Sequence, residues 1–256
     1  MSKMQLPDAN TVAASRGSQS ARRVAVLNEK PLHAALKTWY AQPGDRLESC
    51  VDGFVVDIVR GDLLIEIQTG NFPAIKRKLT KLAARHPVRL VYPIAQDKWI
   101  VKLAEGGHGQ ASRRRSPKRG AFEHLFEELV SFPRLLLNPS FSIELLLVQE
   151  EEIRRHDAIR GWRRNGWVTQ ERRLLRVVGR QLFKGPEDLH SVLPSTLPDP
   201  FTTTDLAHAL ARPRRLAQKI VYCLRLIGCI TQIGKTGGSI LYSRVATGPG
   251  SPEFLK

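Results

Sequence analysis

The stretch Val51–Asn71, VDGFVVDIVRGDLLIEIQTGN, decides the fold because it places two strand-like segments on either side of a short polar turn. Runs of Val, Ile and Leu indicate buried strands, and Gly61-Asp62 is typical of the turn between them. Asp57 and Glu66 interrupt these runs. With this turn, Asp57 pairs with Glu66 across the hairpin, and both project from the same face as Gln68 because side chains alternate along a strand.

Two carboxylates that face each other at about 5 Å repel, and a protein tolerates such a pair when a cation lies between them. Their oxygen atoms predict Mg²⁺ or Mn²⁺, either of which can lower the pKa of a bound water and stabilise charge on a phosphate. Two alternatives stay open. A turn at Arg60-Gly61 would move Asp57 opposite Leu64, and an ordinary edge hairpin would leave both acids solvated.

Apolar residues at helical spacing predict a helix on each side of the hairpin. The helix before it is Glu29–Ala41, which has Pro31 in its first turn, and the helix after it is Phe72–His86. The apolar positions are Leu32, Leu36 and Trp39 in the first helix, and Ile75, Leu79 and Leu82 in the second.

The segments that follow predict a mixed α/β domain over residues 24–160, after a flexible basic tail at 1–23. They are two short strands, Val88–Ile94 and Lys98–Leu103, a basic loop at 105–120, a helix at Ala121–Phe132 and a buried strand at Phe141–Ile153.

The last third of the chain has a different pattern, three helices and then a hairpin, which is typical of a winged-helix domain. We assign it residues 161–245, followed by a tail at 246–256. The predicted elements are helices Thr169–Phe183, Phe201–Arg212 and Pro213–Gly228, and the hairpin Cys229–Arg244.

The opening hairpin resembles the PD-(D/E)XK nuclease superfamily, in which an Asp ends one strand and a hydrophobic strand after a short turn ends in Glu-x-Lys. Asp57 and the segment LLIEIQ, which contains Glu66, match this pattern over roughly residues 24–103, and the following helix completes the family's αβββαβ order. The resemblance implies a restriction-endonuclease-like fold. It also implies that Asp57 and Glu66 bind the metal ion, helped by the Ile67 carbonyl, and that Glu29 reaches the ion directly or through water.

Gln68 departs from the family pattern, which usually has Lys at this position. A neutral amide cannot supply the charge that orients the attacking water or offsets charge on the phosphate. Because some members take this Lys from a nearby helix, Lys78 is the candidate and Lys76 the second. The implied catalytic set is Asp57, Glu66, Gln68, Lys78 and Glu29.

The chain has 40 Lys and Arg against 24 Asp and Glu, a net charge of +16, which favours a polyanionic partner, nucleic acid first and an acidic membrane surface second. A basic protein without such a partner is the alternative. Basic clusters in the loop, the third C-terminal helix and the hairpin tip predict salt-sensitive phosphate contacts that do not read sequence. These residues are Arg113, Arg114, Arg115, Lys118, Arg119, Arg212, Arg214, Arg215, Lys219 and Lys235.

Three scattered cysteines indicate reduced thiols rather than a disulfide framework or a zinc site. No apolar run reaches the roughly 18 residues of a membrane span, and the N-terminus lacks the apolar core of a secretory signal. We therefore expect a cytoplasmic protein without membrane contact. A homodimer or a partner subunit stays open.

These observations predict a metal-dependent DNA nuclease that hydrolyses phosphodiester bonds, with the DNA held by the winged-helix module. The alternative is a non-catalytic DNA-binding protein or complex subunit with a decayed nuclease core. A third class, a protein–protein scaffold with an incidental basic surface, would differ from both by lacking salt-dependent DNA binding.

Overall fold

The computed structural model describes residues 30–104, 109–160, 162 and 165–245. The predicted tails at 1–23 and 246–256, and the predicted catalytic residue Glu29, lie outside the described residues. Seven strands of the described chain form one mixed sheet flanked by helices, and two more form a separate hairpin. The predicted mixed α/β class is therefore confirmed.

The N-terminal part of the described chain runs helix, three strands, helix. The two helices and the hairpin were predicted, whereas the strand before the hairpin was not. These elements are α1 (Pro31–Tyr40), β1 (Arg46–Val51), β2 (Phe54–Arg60), β3 (Leu63–Ile67) and α2 (Phe72–Ala83). The strands β1, β2 and β3 pair antiparallel in sequence order, so this unit is a meander between two helices.

The long strand β4 (Val88–Leu103) organises the sheet. One of its edges pairs in parallel with β6 (Phe141–His156) along almost its whole length. The other edge pairs in parallel with β3 over Val88–Val91 and antiparallel with β5 (Gln110–Arg115) further along. The strand β7 (Trp167–Phe183) pairs antiparallel with the outer edge of β6 and ends the sheet. On the edge of β4 that carries β3 and β5, pairing with β3 stops at Val91 and pairing with β5 begins at Trp99, so the residues between them have no neighbouring strand there in the described chain.

Two predictions around β4 are wrong. The segments Val88–Ile94 and Lys98–Leu103 form one strand, because continuous pairing with β6 carries the chain through a bulge between Ala95 and Asp97. The loop 105–120 contains β5, since the outer half of β4 offers backbone groups that would otherwise lack a partner.

The predicted helix Thr169–Phe183 is also wrong, because this segment lies within β7. Its apolar residues Leu174 and Val177 pack on the cluster under α1. A 16-residue neighbour, β6, supplies backbone partners along the segment, and this long-range pairing outweighs the helical spacing of the apolar residues.

The connection between β5 and β6 and the C-terminal part are mostly helical. The predicted helix Ala121–Phe132 is present as a 3₁₀ turn, Phe122–Leu125, and α3 (Phe126–Leu129), followed by a second 3₁₀ turn, Pro133–Leu137. After the sheet come α4 (Pro186–His190), α5 (Thr203–Ala209), α6 (Arg214–Ile227), β8 (Ile230–Thr236) and β9 (Ser239–Arg244). Thr202 caps the N-terminus of α5, and α6 ends at Gly228, which confirms the predicted end of that helix.

Two apolar clusters cover the two faces of the sheet, because alternate residues of the central strands point to opposite sides. On one face, Leu32 and Leu36 of α1 pack on a cluster that contains Ile65. On the other face, a larger cluster runs from Leu64 through α2 into α5 and α6. Trp39 was predicted to face the core and is instead 46% exposed, since the next residue of α1, Tyr40, takes the buried position.

Within the described part of the chain, no helix is both long and apolar enough to cross a membrane. The cysteines Cys50, Cys223 and Cys229 are free thiols, and the last two are buried.

Candidate active site

The predicted register of the β2–β3 hairpin is confirmed. Arg60 pairs with Leu63 across the Gly61-Asp62 turn, and regular pairing continues to Ile58 and Ile65. The alternative turn at Arg60-Gly61 is therefore wrong. The regular ladder ends at the Ile58–Ile65 pair, and Asp57 and Glu66 are the next residues on the two strands.

The Asp57 carboxylate closes the end of the hairpin. Its Oδ2 atom accepts a hydrogen bond from the Ile67 N–H at 2.8 Å and lies 3.2 Å from Nε2 of His33 on α1. Burial opposes ionisation of Asp57, but the contacts with His33 and Ile67 and the charge of Lys78 outweigh it and hold the pKa of this carboxyl below its ordinary value. Asp57 is therefore a charged group with one oxygen, Oδ2, already engaged.

The neighbouring Glu66 is 6% exposed and has the opposite electrostatic balance. Burial and the negative charge of Asp57 raise the pKa of Glu66 to about 7, against the attraction of Lys78. The Lys78 ammonium lies 2.5 Å from Oε1 of Glu66, which makes an ion pair by distance. Among the described residues this Oε1 atom nevertheless has no hydrogen-bond partner of acceptable geometry. The site thus holds a buried carboxylate oxygen whose close contact is the Lys78 ammonium.

Lys78, the first candidate for the lysine that is missing at position 68, contacts one of the two acids, Glu66. Lys78 lies on α2, and its ammonium also donates to the Val55 carbonyl at 2.5 Å, so two contacts hold it over the hairpin. Lys76, the second candidate, is exposed on the same helix. The side chain that reaches Glu66 is therefore Lys78.

Gln68 lies beside the acids in sequence, but its side chain is turned to the following loop. Its Nε2 atom donates to the Gly70 carbonyl and, at 3.5 Å, to the Asn71 carbonyl. Its backbone N–H donates to the Val91 carbonyl of β4 at 2.9 Å. Gln68 therefore orders the loop that borders the site.

Two other acids of the hairpin region lie off the site. Asp52 is 3.2 Å from His86 and 3.6 Å from Arg85, and Glu48 is 2.6 Å from Lys37. The described residues contain no group of three or more His, Cys, Asp or Glu side chains placed to hold a metal ion. Asp57 and Glu66 are thus a pair of carboxylates rather than a complete ligand set.

Sequence reasoning missed a buried ionic network next to the Gln68 loop. Glu150 on β6 is fully buried and pairs with Arg172 at 2.6 Å and Lys98 at 3.1 Å. Arg172 also donates to the Thr69 carbonyl at 3.4 Å, which ties the network to the loop after β3. Lys98 additionally contacts Glu152 at 2.9 Å. The signal in the sequence was the run of three glutamates, Glu150 to Glu152, within a strand whose other residues indicate burial.

The basic residues predicted to contact DNA around β5 are mostly paired with acids. Arg115 lies 2.5 Å and Arg119 3.2 Å from the buried carboxylate of Asp97. Arg113 lies 2.8 Å from Glu151. These three guanidinium groups therefore have structural partners and are less available to a phosphate.

The basic residues predicted to contact DNA near α6 also include some that are bound to other groups of the protein and some that are exposed. Arg212 lies 2.6 Å from Glu123, and Lys219 donates to the Glu127 carbonyl at 3.3 Å, so both connect α6 to the region before β6. Several predicted contacts are exposed and form no ion pair within the described part of the chain: Arg114, Lys118, Arg214, Arg215 and Lys235.

Comparisons with known proteins give a family without a known activity. A family model described as Domain of unknown function (DUF8091) matches residues 30–184, from the start of α1 to the end of β7. An uncharacterized protein of Treponema pallidum (strain Nichols) is 30% identical over 224 residues, which cover 86% of this chain and 87% of that protein. No solved structure matches the chain. Since 224 residues cannot fit within 1–184, the similarity to the Treponema protein extends into the C-terminal elements.

Proposed function

The chain belongs to the family described as Domain of unknown function (DUF8091). We propose that it is a metal-dependent nuclease that hydrolyses phosphodiester bonds in DNA. The observation that carries the proposal is the position of two facing carboxylates, Asp57 and Glu66, at the open end of a hairpin, with Lys78 in contact with Glu66. Buried acids that repel each other and whose pKa values move in opposite directions, down for Asp57 and up for Glu66, are typical of catalytic sites.

The donor set fits Mg²⁺ or Mn²⁺. Oxygen ligands suit these hard cations, and the buried Oε1 atom of Glu66, which contacts Lys78 without a hydrogen bond of acceptable geometry, could also bind such an ion. Asp57, Glu66 and the Ile67 carbonyl would hold the ion, and water and substrate oxygens would complete its shell, with Glu29 as a further candidate. When bound, the ion would activate a water and stabilise charge on the phosphate.

Lys78 supplies the positive charge that Gln68 lacks. Its ammonium contacts Glu66 and is itself held by the Val55 carbonyl, so its position is defined before substrate binds. A fixed cation at this place can orient a water or offset charge that develops on the phosphate. Gln68 then supports the site by ordering the loop through Gly70.

The arrangement of elements supports the finer fold assignment. The order α1-β1-β2-β3-α2-β4 corresponds to the αβββαβ order of the PD-(D/E)XK superfamily and supports a restriction-endonuclease-like core. The helices α4, α5 and α6 followed by the β8–β9 hairpin support a winged-helix module. In this proposal the module begins after Phe183, since β7 belongs to the large sheet.

The experiment is a cleavage assay on supercoiled, linear and single-stranded DNA with Mg²⁺, Mn²⁺ or EDTA. We expect metal-dependent cutting that falls at least about 100-fold in Asp57→Asn and Glu66→Gln. The matched control is Asp52→Asn, which changes an acid of the β1–β2 turn that lies off the site and should leave the rate unchanged. Cutting in EDTA, or full activity in both site variants, would contradict the proposal.

A non-catalytic DNA-binding protein is the second candidate, and the orientation of Gln68 favours it. This position usually carries the catalytic Lys, and here it carries an amide that donates to the Gly70 carbonyl and makes no contact with Asp57 or Glu66 among its hydrogen bonds. This candidate predicts DNA binding without cutting under any metal, unchanged by the Asp57 and Glu66 substitutions. The same assay, combined with a binding measurement, therefore separates the two candidates.

A further inference from the structure

A cavity of about 640 Å³ lies at the C-terminal end of α1. Its walls come from α1, the end of β2, the first residues of β4 and β6, and the last residues of β7. It opens on the face of the sheet that α1 covers, whereas Glu66 is contacted by Lys78 of α2, which packs on the other face. The cavity is therefore distinct from the candidate active site.

Three guanidinium groups and one carboxylate line the cavity: Arg60, Arg89, Arg180 and Glu144. The lining residues have a formal charge of +2, and Asp45, which pairs with Arg60, lowers the charge at the cavity to +1. Pockets of this size that concentrate positive charge from separate strands are suited to an anion. Arginine in particular binds phosphate oxygens through paired N–H groups.

Two of these arginines are held by the protein. Arg60 forms a two-point ion pair with Asp45, with N···O distances of 2.9 and 2.8 Å. Arg89 contacts Glu144 at 3.3 Å and the Tyr40 hydroxyl at 3.2 Å, and its buried Nε has no hydrogen-bond partner among the described residues. The charges of these two arginines are therefore offset by Asp45 and Glu144, and both side chains are held in place before a ligand arrives.

Arg180 is the arginine that is available. It lies on the exposed edge strand β7 and forms no ion pair in the part of the chain that the structure describes. It lines the cavity together with Arg60 and Arg89. A bound anion would thus be contacted first by the exposed guanidinium of Arg180, whose charge no acid of the described chain offsets.

The side chain of Trp39 indicates which chemical group could accompany the anion in a ligand. Trp39 lines the cavity with 46% of its surface exposed, at a helical position where a core residue was expected. An exposed indole in the same cavity as an arginine suits a ligand with a planar ring and an anionic group. The ring can stack on the indole while the anionic group contacts the guanidinium. The volume is in the range of sites for small organic ligands.

We infer that this cavity binds a phosphate monoester attached to a planar ring, with the ring on Trp39 and the phosphate at Arg180. A free nucleotide and the phosphorylated end of a nucleic acid strand share this chemistry. The inference does not rest on the proposed nuclease activity, since none of the residues involved lies at Asp57 or Glu66.

The test is calorimetric titration of the full chain with adenosine 5′-monophosphate, adenosine and inorganic phosphate. We expect the monophosphate to bind more tightly than either fragment. Arg180→Glu should weaken it at least about tenfold, because a charge-assisted contact is replaced by repulsion. Trp39→Ala should weaken it about fivefold or more through lost stacking. Both residues are exposed, so neither change removes a core side chain.

The matched control is Arg176→Glu, which reverses the charge of another exposed arginine on β7 that does not line the cavity. It should change the affinity less than about twofold. Equal loss in Arg176→Glu, equal binding of adenosine, or no binding of the monophosphate at about 5 mM would overturn the inference. Titration with an oligonucleotide with and without a 5′-phosphate then separates the two sources: a phosphate-dependent gain that Arg180→Glu removes assigns the site to a strand end, and its absence assigns it to a free nucleotide.

Discussion

At Glu66, burial and the charge of Asp57 outweigh the attraction of Lys78, and they raise the pKa of this carboxyl to about 7. In the unfolded chain the pKa returns to its ordinary value near 4.5. The folded state therefore holds the proton more tightly, and stability falls as the pH rises from about 4.5 to about 7. Above that range the penalty is constant and on the order of 3 kcal/mol.

Glu66→Gln removes this titration, so the variant should gain stability relative to the wild type as the pH rises. Between pH 5 and pH 8 we expect the difference in unfolding free energy to move by on the order of 2 kcal/mol in favour of the variant. Urea denaturation of both proteins at the two pH values measures it. Asp62→Asn, at the exposed turn of the same hairpin, should show no such change. A constant difference between Glu66→Gln and wild type would contradict the assignment.

The contact between Lys78 and Glu66 makes a second prediction at the residue scale. Lys78→Ala should lower DNA cleavage by about 100-fold or more, because a fixed cation is lost from the site. It should also move the acid limb of the pH–rate profile to higher pH, since Lys78 is the cation that lowers the pKa of Glu66. Lys76→Ala, on the exposed side of α2, should retain activity. An unshifted profile in Lys78→Ala would mean that this lysine does not act through Glu66.

At the scale of elements, Gly120 fixes the basic segment after β5 to the edge of β4. Its N–H donates to the Ala95 carbonyl at 2.9 Å, and a Cβ atom here would collide with that carbonyl and with Ile94. Gly120→Ala should therefore cost about 1–3 kcal/mol of stability, as in other overpacked sites. Gly185→Ala is the control, because its Cβ would meet open space in extended backbone. Equal stabilities of the two variants would show that the segment is not held in this way.

The same scale shows why some elements could be predicted and others could not. The β2–β3 hairpin and α2 depend on neighbours in sequence, so turn chemistry and apolar spacing were sufficient. The strands β5 and β7 exist because β4 and β6 have long edges that need partners. No local pattern contains that information, and the helical spacing of Leu174 and Val177 pointed the other way.

The residues of the candidate site also differ in whether local sequence was sufficient to predict them. Asp57 and Glu66 were predicted because the register of one hairpin places them opposite each other. His33 comes from α1, and Arg172 reaches the Thr69 carbonyl from β7, so both depend on how distant elements pack. Lys78 lies between these cases, since the helix that carries it directly follows the hairpin.

Across the whole molecule, the net charge of +16 is divided between structural and exposed groups. Arg172, Arg115 and Arg212 are paired with acids that are buried or partly buried. Removing one partner of such a pair leaves an uncompensated charge, so these arginines support the fold first. Arg214 and Arg215 at the start of α6 remain exposed.

This division predicts which arginines set the salt dependence of DNA binding. Each phosphate contact contributes about 0.9 to the slope of log K against log salt, so Arg214→Ala/Arg215→Ala should reduce the slope by about 2. The matched double variant Arg113→Ala/Arg115→Ala removes the same charge, but these groups already pair with Glu151 and Asp97, and the slope should fall by less than about 1. Fluorescence anisotropy with one duplex at several salt concentrations measures both slopes. Equal reductions would mean that net charge alone drives binding, and a wild-type slope near zero would mean that the basic surface serves a partner other than DNA.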